Sequence, residues 1–126
     1  MYRNTARVRL FSRRLAGHTV ITIRGDLDFA TTATVRDRIL TIVKDATTPL
    51  IIDLSGVSFC DASGLAMLVG TGRRAALHGV TVALAAPRPV VSKLLRITSL
   101  DRAFPIHPTL ASAQAGCAPS DHIRAA

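Results

Sequence analysis

Short runs of strand-forming residues alternate along this chain with segments whose apolar residues recur at helical spacing. Residues 7–11 and 19–23 alternate polar and apolar side chains, which predicts a hairpin of two strands. A helical stripe then starts near residue 30 and ends before Pro49. The apolar run 50–54 predicts an interior strand, and residues 55–60 are expected to form a connecting loop.

The second half of the chain continues the alternation. Its pattern predicts a helix over 63–77, a strand over 80–84 and a helix opened by Pro87 and Pro89. A short strand near 103–106 and a brief helix over 108–114 follow. Strand–helix–strand units make parallel neighbours through right-handed crossovers, whereas a hairpin is antiparallel. The expected fold class is therefore α/β, with a mixed sheet and helices packed against it.

The length and hydropathy of the chain predict one domain and no membrane span. At 126 residues, the chain has room for one domain over residues 1–115, followed by a flexible tail over 116–126. No apolar run reaches the roughly 18 residues that a bilayer requires, and the N-terminal residues lack the apolar stretch of a signal peptide. We therefore expect a cytoplasmic protein that does not contact a membrane.

Positive charge is concentrated at the start of the chain. The formal net charge is +8, and residues 1–25 contain six arginines and no acidic residue. Such a stretch can bind nucleic acid, an acidic membrane surface or an acidic protein, or it can keep an edge strand soluble. The aromatic content of 4% and the absence of Trp disfavour direct nucleic-acid binding, so we favour the soluble edge strand.

Sequence patterns typical of catalysis or metal binding are absent from the chain. Cys60 and Cys117 have no metal-ligand spacing, and the four histidines are scattered, so we predict no metal and no cofactor. Two reduced thiols are the favoured interpretation, with a redox-linked disulfide as the alternative. Neither a phosphate-binding glycine loop nor a nucleophile elbow occurs. We therefore predict that the protein is not an enzyme.

The most informative segment is residues 51–65, where a buried strand leads into a tight turn and a helix. The first N–H groups of a helix lack partners and attract a hydroxyl, a carboxylate or a phosphate. Asp61 or Ser63 can cap this helix, and Gly64 would let another protein approach the backbone closely. Taken by its physics alone, the segment favours an ordinary capped helix start over a binding site.

Three motifs resemble those of the STAS-domain anti-sigma factor antagonists. Residues 53–65, DLSGVSFCDASGL, resemble the family pattern D-L-S-x-V-x-F-x-D-S-[S/T]-G-L. Residues 24–28, RGDLD, are similar to the family's G-[E/D]-L-D turn, and residues 94–101, LLRITSLD, to its L-x-x-x-G-L-x helix ending. Together the motifs span about residues 7–114 in the family's order. The resemblance implies a STAS-type mixed sheet of four to five strands.

The resemblance also implies a function and a binding surface. Family members sequester an anti-sigma factor, usually a serine kinase of the histidine-kinase-like ATPase fold, and so free a sigma factor for transcription. The kinase phosphorylates the serine directly after the motif aspartate, the modified protein releases its partner, and a phosphatase restores binding. A homodimer is left open. The partner-binding residues implied for this chain are Asp26, Asp28, Asp61, Ala62, Ser63, Gly64 and Leu65.

The chain departs from the family pattern at the phosphoacceptor. Ala62 stands at that position and has no hydroxyl, while Ser63 aligns with the following Ser/Thr. Either the kinase modifies Ser63, or the protein binds its partner constitutively. We favour constitutive binding, because phosphoryl transfer is sensitive to displacements of about 1 Å. Control through Cys60, with Cys117 as its disulfide partner, is a third hypothesis.

Two other functions fit the same sequence. The chain could be a STAS subunit of a larger signalling assembly or a ligand-sensing module. From a different class, it could be a basic nucleic-acid-binding protein that uses residues 1–25.

Overall fold

The computed structural model describes residues 8–117. Within them the chain forms five strands, four α-helices and one turn of 3₁₀ helix (Leu100–Arg102). In chain order the elements are β1 (Val8–Leu15), β2 (His18–Leu27), α1 (Thr32–Asp45), β3 (Leu50–Cys60), α2 (Ala62–Leu77), β4 (Val82–Ala85), α3 (Pro89–Ile97), β5 (Ile106–His107) and α4 (Leu110–Ala115).

The strands form one mixed sheet in the order β1-β2-β3-β4-β5. β1 and β2 pair antiparallel through a tight turn at Gly17, whose φ of 87° suits a residue without a side chain. β2, β3, β4 and β5 are parallel neighbours. The predictions of an α/β class, an antiparallel hairpin and a mixed sheet of four to five strands are confirmed, with five strands.

Helices α1, α2 and α3 pack on one face of the sheet, and α4 packs on the other. Alternate residues of β3 point to opposite faces, so Ile52 belongs to the main core with Ile39 and Leu68. Ile51 points the other way and packs against Ala113 of α4. α4 is short, and it contacts mainly β3, β4 and β5. The opposite face over β1 and β2 is consequently left largely uncovered.

Two strands extend beyond their predicted ends, and this decides where the functional residues lie. Residues 55–60 continue β3 instead of forming a loop, because they pair in parallel with the end of β2. β2 likewise runs through Asp26 to Leu27, with register shifts between Thr22 and Arg24 and between Gly25 and Asp26. Gly25 and Gly56 made these two segments look like turns, but the irregular register accommodates both glycines within the strands.

The remaining boundaries differ by a few residues. β1 continues to Leu15, and β5 covers Ile106–His107 in place of the predicted 103–106. Gly79 follows α2 with a φ of +72°, a conformation that favours glycine after a helix. The predicted start of the first strand at residue 7 and most of the predicted flexible tail, residues 118–126, lie outside the described residues.

Candidate functional site

The ends of two parallel strands bring the predicted site residues together. Leu27 at the end of β2 lies beside Cys60 at the end of β3, and the amide of Asp61 donates to the Leu27 carbonyl at 3.0 Å. The loop from β2 to α1 therefore meets the turn from β3 to α2. Asp26, Asp28 and the start of α2 therefore share one edge of the sheet.

Asp61 caps α2 and ties it to the neighbouring loop. Its Oδ1 accepts hydrogen bonds from the amides of Ser63 at 2.8 Å and Gly64 at 3.2 Å, and from the Ser63 hydroxyl. Its Oδ2 accepts from the amide of Phe29 at 3.2 Å. The pKa of the Asp61 carboxyl is held below its ordinary value by these hydrogen bonds. The Ser63 hydroxyl contributes most, and the amides of Gly64, Ser63 and Phe29 contribute less. The carboxylate is thus charged at neutral pH and fixes the relative position of the two segments.

Asp28 shapes the loop before α1. Its Oδ1 accepts from the amides of Ala30 at 2.9 Å and Thr31 at 3.1 Å. The buried Thr31 hydroxyl accepts from the Asp28 amide at 3.0 Å and donates to the Asp26 carbonyl at 2.7 Å. These reciprocal bonds hold the loop in one conformation, so Phe29 at its tip is presented to solvent on a rigid support.

Gly64 and Leu65 contribute little to the exposed surface, and their predicted role in partner contact stays a prediction. Both residues are buried. A Cβ on Gly64 would lie 2.7 Å from the Cys60 Sγ and 2.9 Å from both the Leu27 Cβ and the Leu27 carbonyl oxygen. Gly64 therefore allows the start of α2 to pack tightly against the strand ends. Of the other predicted residues at this turn, Ala62 is exposed and Ser63 is partly buried.

Two phenylalanines that the sequence reasoning did not select lie at the same edge. Phe29 is 86% exposed and Phe59 is 51% exposed. Phe59 belongs to the quoted motif, so the motif could have suggested it, whereas no pattern distinguishes Phe29 from a core residue. We use the name turn surface for the exposed and partly exposed residues at this edge: Asp26, Asp28, Phe29, Phe59, Ala62 and Ser63.

A groove between α1 and α2 begins at the turn surface. Its volume is about 430 Å³. The groove is lined by Phe29, Thr32, Ala33, Arg36, Leu40, Ser63, Ala66, Met67, Gly70, Thr71 and Arg74. Its lining among the described residues carries two arginines and no carboxylate. The groove thus combines an apolar floor of small residues with positive charge.

The two cysteines lie in different packing environments. Cys60 is buried in the main core, and burial together with the nearby Asp61 charge raises the pKa of its thiol to about 11. Cys117 packs against the second cluster, on the other face of the sheet, and burial raises the pKa of its thiol as well. Both are free thiols in this structure. This arrangement does not support the alternative of a disulfide, and a thiol with so high a pKa is a poor nucleophile at neutral pH.

Residues 8–117 contain no group of three or more His, Cys, Asp or Glu side chains placed to hold a metal ion. Within this same part of the chain, no helix combines the length and the apolarity needed to cross a membrane.

Known proteins share both the sequence pattern and this fold. The family model described as the STAS domain matches residues 12–113. The anti-sigma-F factor antagonist RsfB of Mycobacterium tuberculosis (strain H37Rv) is 32% identical over 100 residues, which cover 79% of this chain and 81% of RsfB. An anti-sigma factor antagonist from Mycobacterium paratuberculosis has a solved structure with a TM-score of 0.78 and 26% identity, covering 87% of this chain and 93% of that one.

A more distant solved structure has the same fold. SpoIIAA of Bacillus, an anti-sigma factor antagonist, matches in its unphosphorylated form with a TM-score of 0.72 and 23% identity. The match covers 94% of this chain and 98% of that one. The family model and the RsfB match show that this chain belongs to the STAS-domain family.

Proposed function

We propose that this STAS protein is an anti-sigma factor antagonist, which binds an anti-sigma factor and so frees a sigma factor for transcription. The turn surface carries the proposal, because two exposed phenylalanines flank a rigidly capped helix start. The names of the relatives, anti-sigma-F factor antagonist among them, support the same function. This role places the protein in the cytoplasm and requires no catalysis by the chain itself.

The two phenylalanines of the turn surface are expected to contribute most of the binding energy. Phe29 and Phe59 are large apolar side chains left in solvent. Full burial of such a side chain contributes about 1.5–3 kcal/mol, and buried aromatic residues often dominate the binding energy of an interface. Since the loop and the helix start are joined through Asp61, little conformational entropy is lost when a partner covers Phe29.

The groove between α1 and α2 extends this surface. Arg36 and Arg74 flank its apolar lining, and a helix with carboxylates beside an apolar stripe would complement both features. We propose that a helix of the anti-sigma factor lies in the groove while another part of the same partner covers the turn surface. The partner that fits this proposal is a serine kinase of the histidine-kinase-like ATPase fold.

We further propose that binding is constitutive. Ala62, the exposed residue at the acceptor position, has no hydroxyl. The Ser63 hydroxyl is partly buried and donates to the Asp61 carboxylate. A phosphate on Ser63 would place about −1.5 to −2 charges beside that carboxylate and would break the helix cap. On this proposal, neither release by phosphorylation at this turn nor its reversal by a phosphatase controls the protein.

The test is a binding and phosphorylation assay with purified proteins. The chain is mixed with each kinase-type anti-sigma factor of its source organism and ATP, and complexes are measured by size-exclusion chromatography and calorimetry. We expect one stable complex and no mass gain on the wild-type chain, whereas Ala62→Ser should gain one phosphate and release the kinase. If the chain bound none of these anti-sigma factors, the antagonist function would be refuted. Phosphorylation of Ser63 would refute constitutive binding.

Matched variants locate the interface. Phe29→Ala and Phe59→Ala should each weaken the complex by about tenfold or more, the range of a buried aromatic contact. Leu77→Ala is the control, because Leu77 is also exposed, at 83%, but lies at the far end of α2. Equal effects of all three substitutions would place the interface elsewhere.

A further inference from the structure

Strand β1 forms a long open edge of the sheet. Among residues 8–117 it pairs only with β2, in a continuous register from Val8 opposite Gly25 to Leu15 opposite His18. Arg38 of α1 donates to the Leu10 carbonyl at 3.4 Å, so a group from outside the β1–β2 pair reaches the backbone of this edge. Backbone groups on such an edge can pair with another extended segment.

The uncovered face of β1 is basic and partly aromatic. Val8 and Leu10 belong to the core, so Arg9, Phe11 and Arg13 alternate with them on the opposite face. Phe11 is 48% exposed, and the guanidinium of Arg24 lies 5.6 Å from the centre of its ring. The aromatic ring thus holds Arg24, the cross-strand partner of Arg9, on the same face as Arg9 and Arg13.

The other face of the edge borders an apolar groove. A cavity of about 300 Å³ lies between β1 and α1. Its lining includes Val8, Leu10 and Val35 together with Arg38. Side chains that alternate along an added strand would point in turn toward this groove and toward the arginines on the opposite face.

We propose that β1 is a docking edge for an extended acidic segment of a partner protein, which adds to the sheet as a sixth strand. Side chains two residues apart share a face, so carboxylates four residues apart would lie opposite Arg9 and Arg13, with an apolar residue opposite Phe11 between them. The two intervening residues would be apolar: the one opposite Leu10 would enter the groove beside α1, and the one opposite Ser12 would lie on the same face next to it. The recognition pattern is thus acid–apolar–apolar–apolar–acid in an extended conformation.

Charge selects this occupant over the alternatives. A second copy of the chain would bring its own β1 arginines to a face where Arg9 already lies opposite Arg24, and this further like charge would destabilise strand pairing. Single-stranded nucleic acid binds through several free aromatic faces, whereas Phe11 is the one aromatic side chain among the described residues of β1 and already carries Arg24. The proposed edge uses no residue of the turn surface, so it does not depend on the antagonist function.

The test uses a synthetic peptide with the core Glu-Val-Leu-Val-Glu flanked by glycine and serine. We expect amide chemical-shift changes and slowed hydrogen exchange along β1 in the full-length protein, with an affinity that falls as salt is raised. The same peptide with Lys in place of Glu should not bind.

Charge reversal provides the decisive comparison. The double variant Arg9→Glu/Arg13→Glu should bind the acidic peptide at least about tenfold more weakly and should acquire affinity for the Lys peptide. The control Arg96→Glu/Arg102→Glu changes the net charge equally at exposed positions on other elements and should bind like wild type. Undetectable binding of the acidic peptide, equal effects of both double variants, or stronger binding of oligo-dT or phosphatidylglycerol vesicles at β1 would each overturn the proposal.

Discussion

Replacing Gly64 by alanine tests whether this residue serves packing or partner contact. The added Cβ would meet the Cys60 Sγ at 2.7 Å and the Leu27 backbone oxygen at 2.9 Å, both closer than real Cβ contacts. The Leu27 oxygen cannot move freely, because it accepts the Asp61 amide at 3.0 Å. Relief of the contact must therefore displace the start of α2 from the sheet.

Gly70 provides a control within the same helix. A Cβ there would meet nothing within 4 Å, so Gly70→Ala should stabilise the protein by about 1 kcal/mol through helix propensity. Gly64→Ala has a similar propensity gain but incurs an overpacking cost of about 1–3 kcal/mol. The propensity contribution largely cancels between the two variants. We expect the free energy of unfolding of Gly64→Ala to lie about 1–3 kcal/mol below that of Gly70→Ala.

Urea denaturation followed by circular dichroism measures this difference. Similar denaturant slopes for the two variants would show that the midpoints report stability and not a change in the denatured state. If Gly64 serves partner contact, Gly64→Ala should be as stable as Gly70→Ala and should lose only affinity for the anti-sigma factor. That outcome would refute the packing role assigned to Gly64.

Three further predictions follow from local conformation and protonation. Ser99 has a φ of 62°, so Ser99→Gly should raise the free energy of unfolding by about 1 kcal/mol in urea titrations. Since the pKa of Asp61 is lower in the folded state, its stabilisation is complete above its unfolded pKa and is lost as the pH falls through the folded value. Asp61→Asn should therefore be less stable than wild type at neutral pH, and the difference should shrink in acid. Cys60 has a pKa of about 11 in the folded protein, so it should react with a thiol reagent at mildly alkaline pH far more slowly than in urea. The measurement uses the Cys117→Ala variant, in which Cys60 is the remaining thiol. Fast labelling of the folded variant would contradict the burial of Cys60.

The sheet was predictable from the sequence because its strands have clear periodic patterns. The positions at which the strands end were not predictable. Residues 55–60 contain Ser55, Gly56 and Ser58, a composition typical of loops. They form strand because the end of β2 offers a parallel partner across an irregular register. Such pairing joins segments about thirty residues apart, and local composition contains no information on it.

The site shows the same division between local and long-range information. The cap formed by Asp61 was predictable, since the acceptor and the amides it binds are close in sequence. The role of Gly64 was not, because the atoms that exclude a Cβ belong to Leu27 as well as to the neighbouring Cys60. Phe29 was also missed, because its exposure depends on the loop bonds that Asp28 makes.

The arrangement around Asp61 explains how alanine can stand at position 62 without disturbing the turn surface. The cap uses the amides of Ser63 and Gly64 and the hydroxyl of Ser63, whereas the side chain of Ala62 takes no part in it. Ala62→Ser, at an exposed position, should therefore change the free energy of unfolding by less than about 0.5 kcal/mol. Ser63→Ala should lower it, because the carboxylate loses the hydroxyl bond. Urea titrations of both variants test this directly: a large loss of stability in Ala62→Ser would show that position 62 supports the fold, and that partner binding and phosphorylation control cannot be separated at this turn.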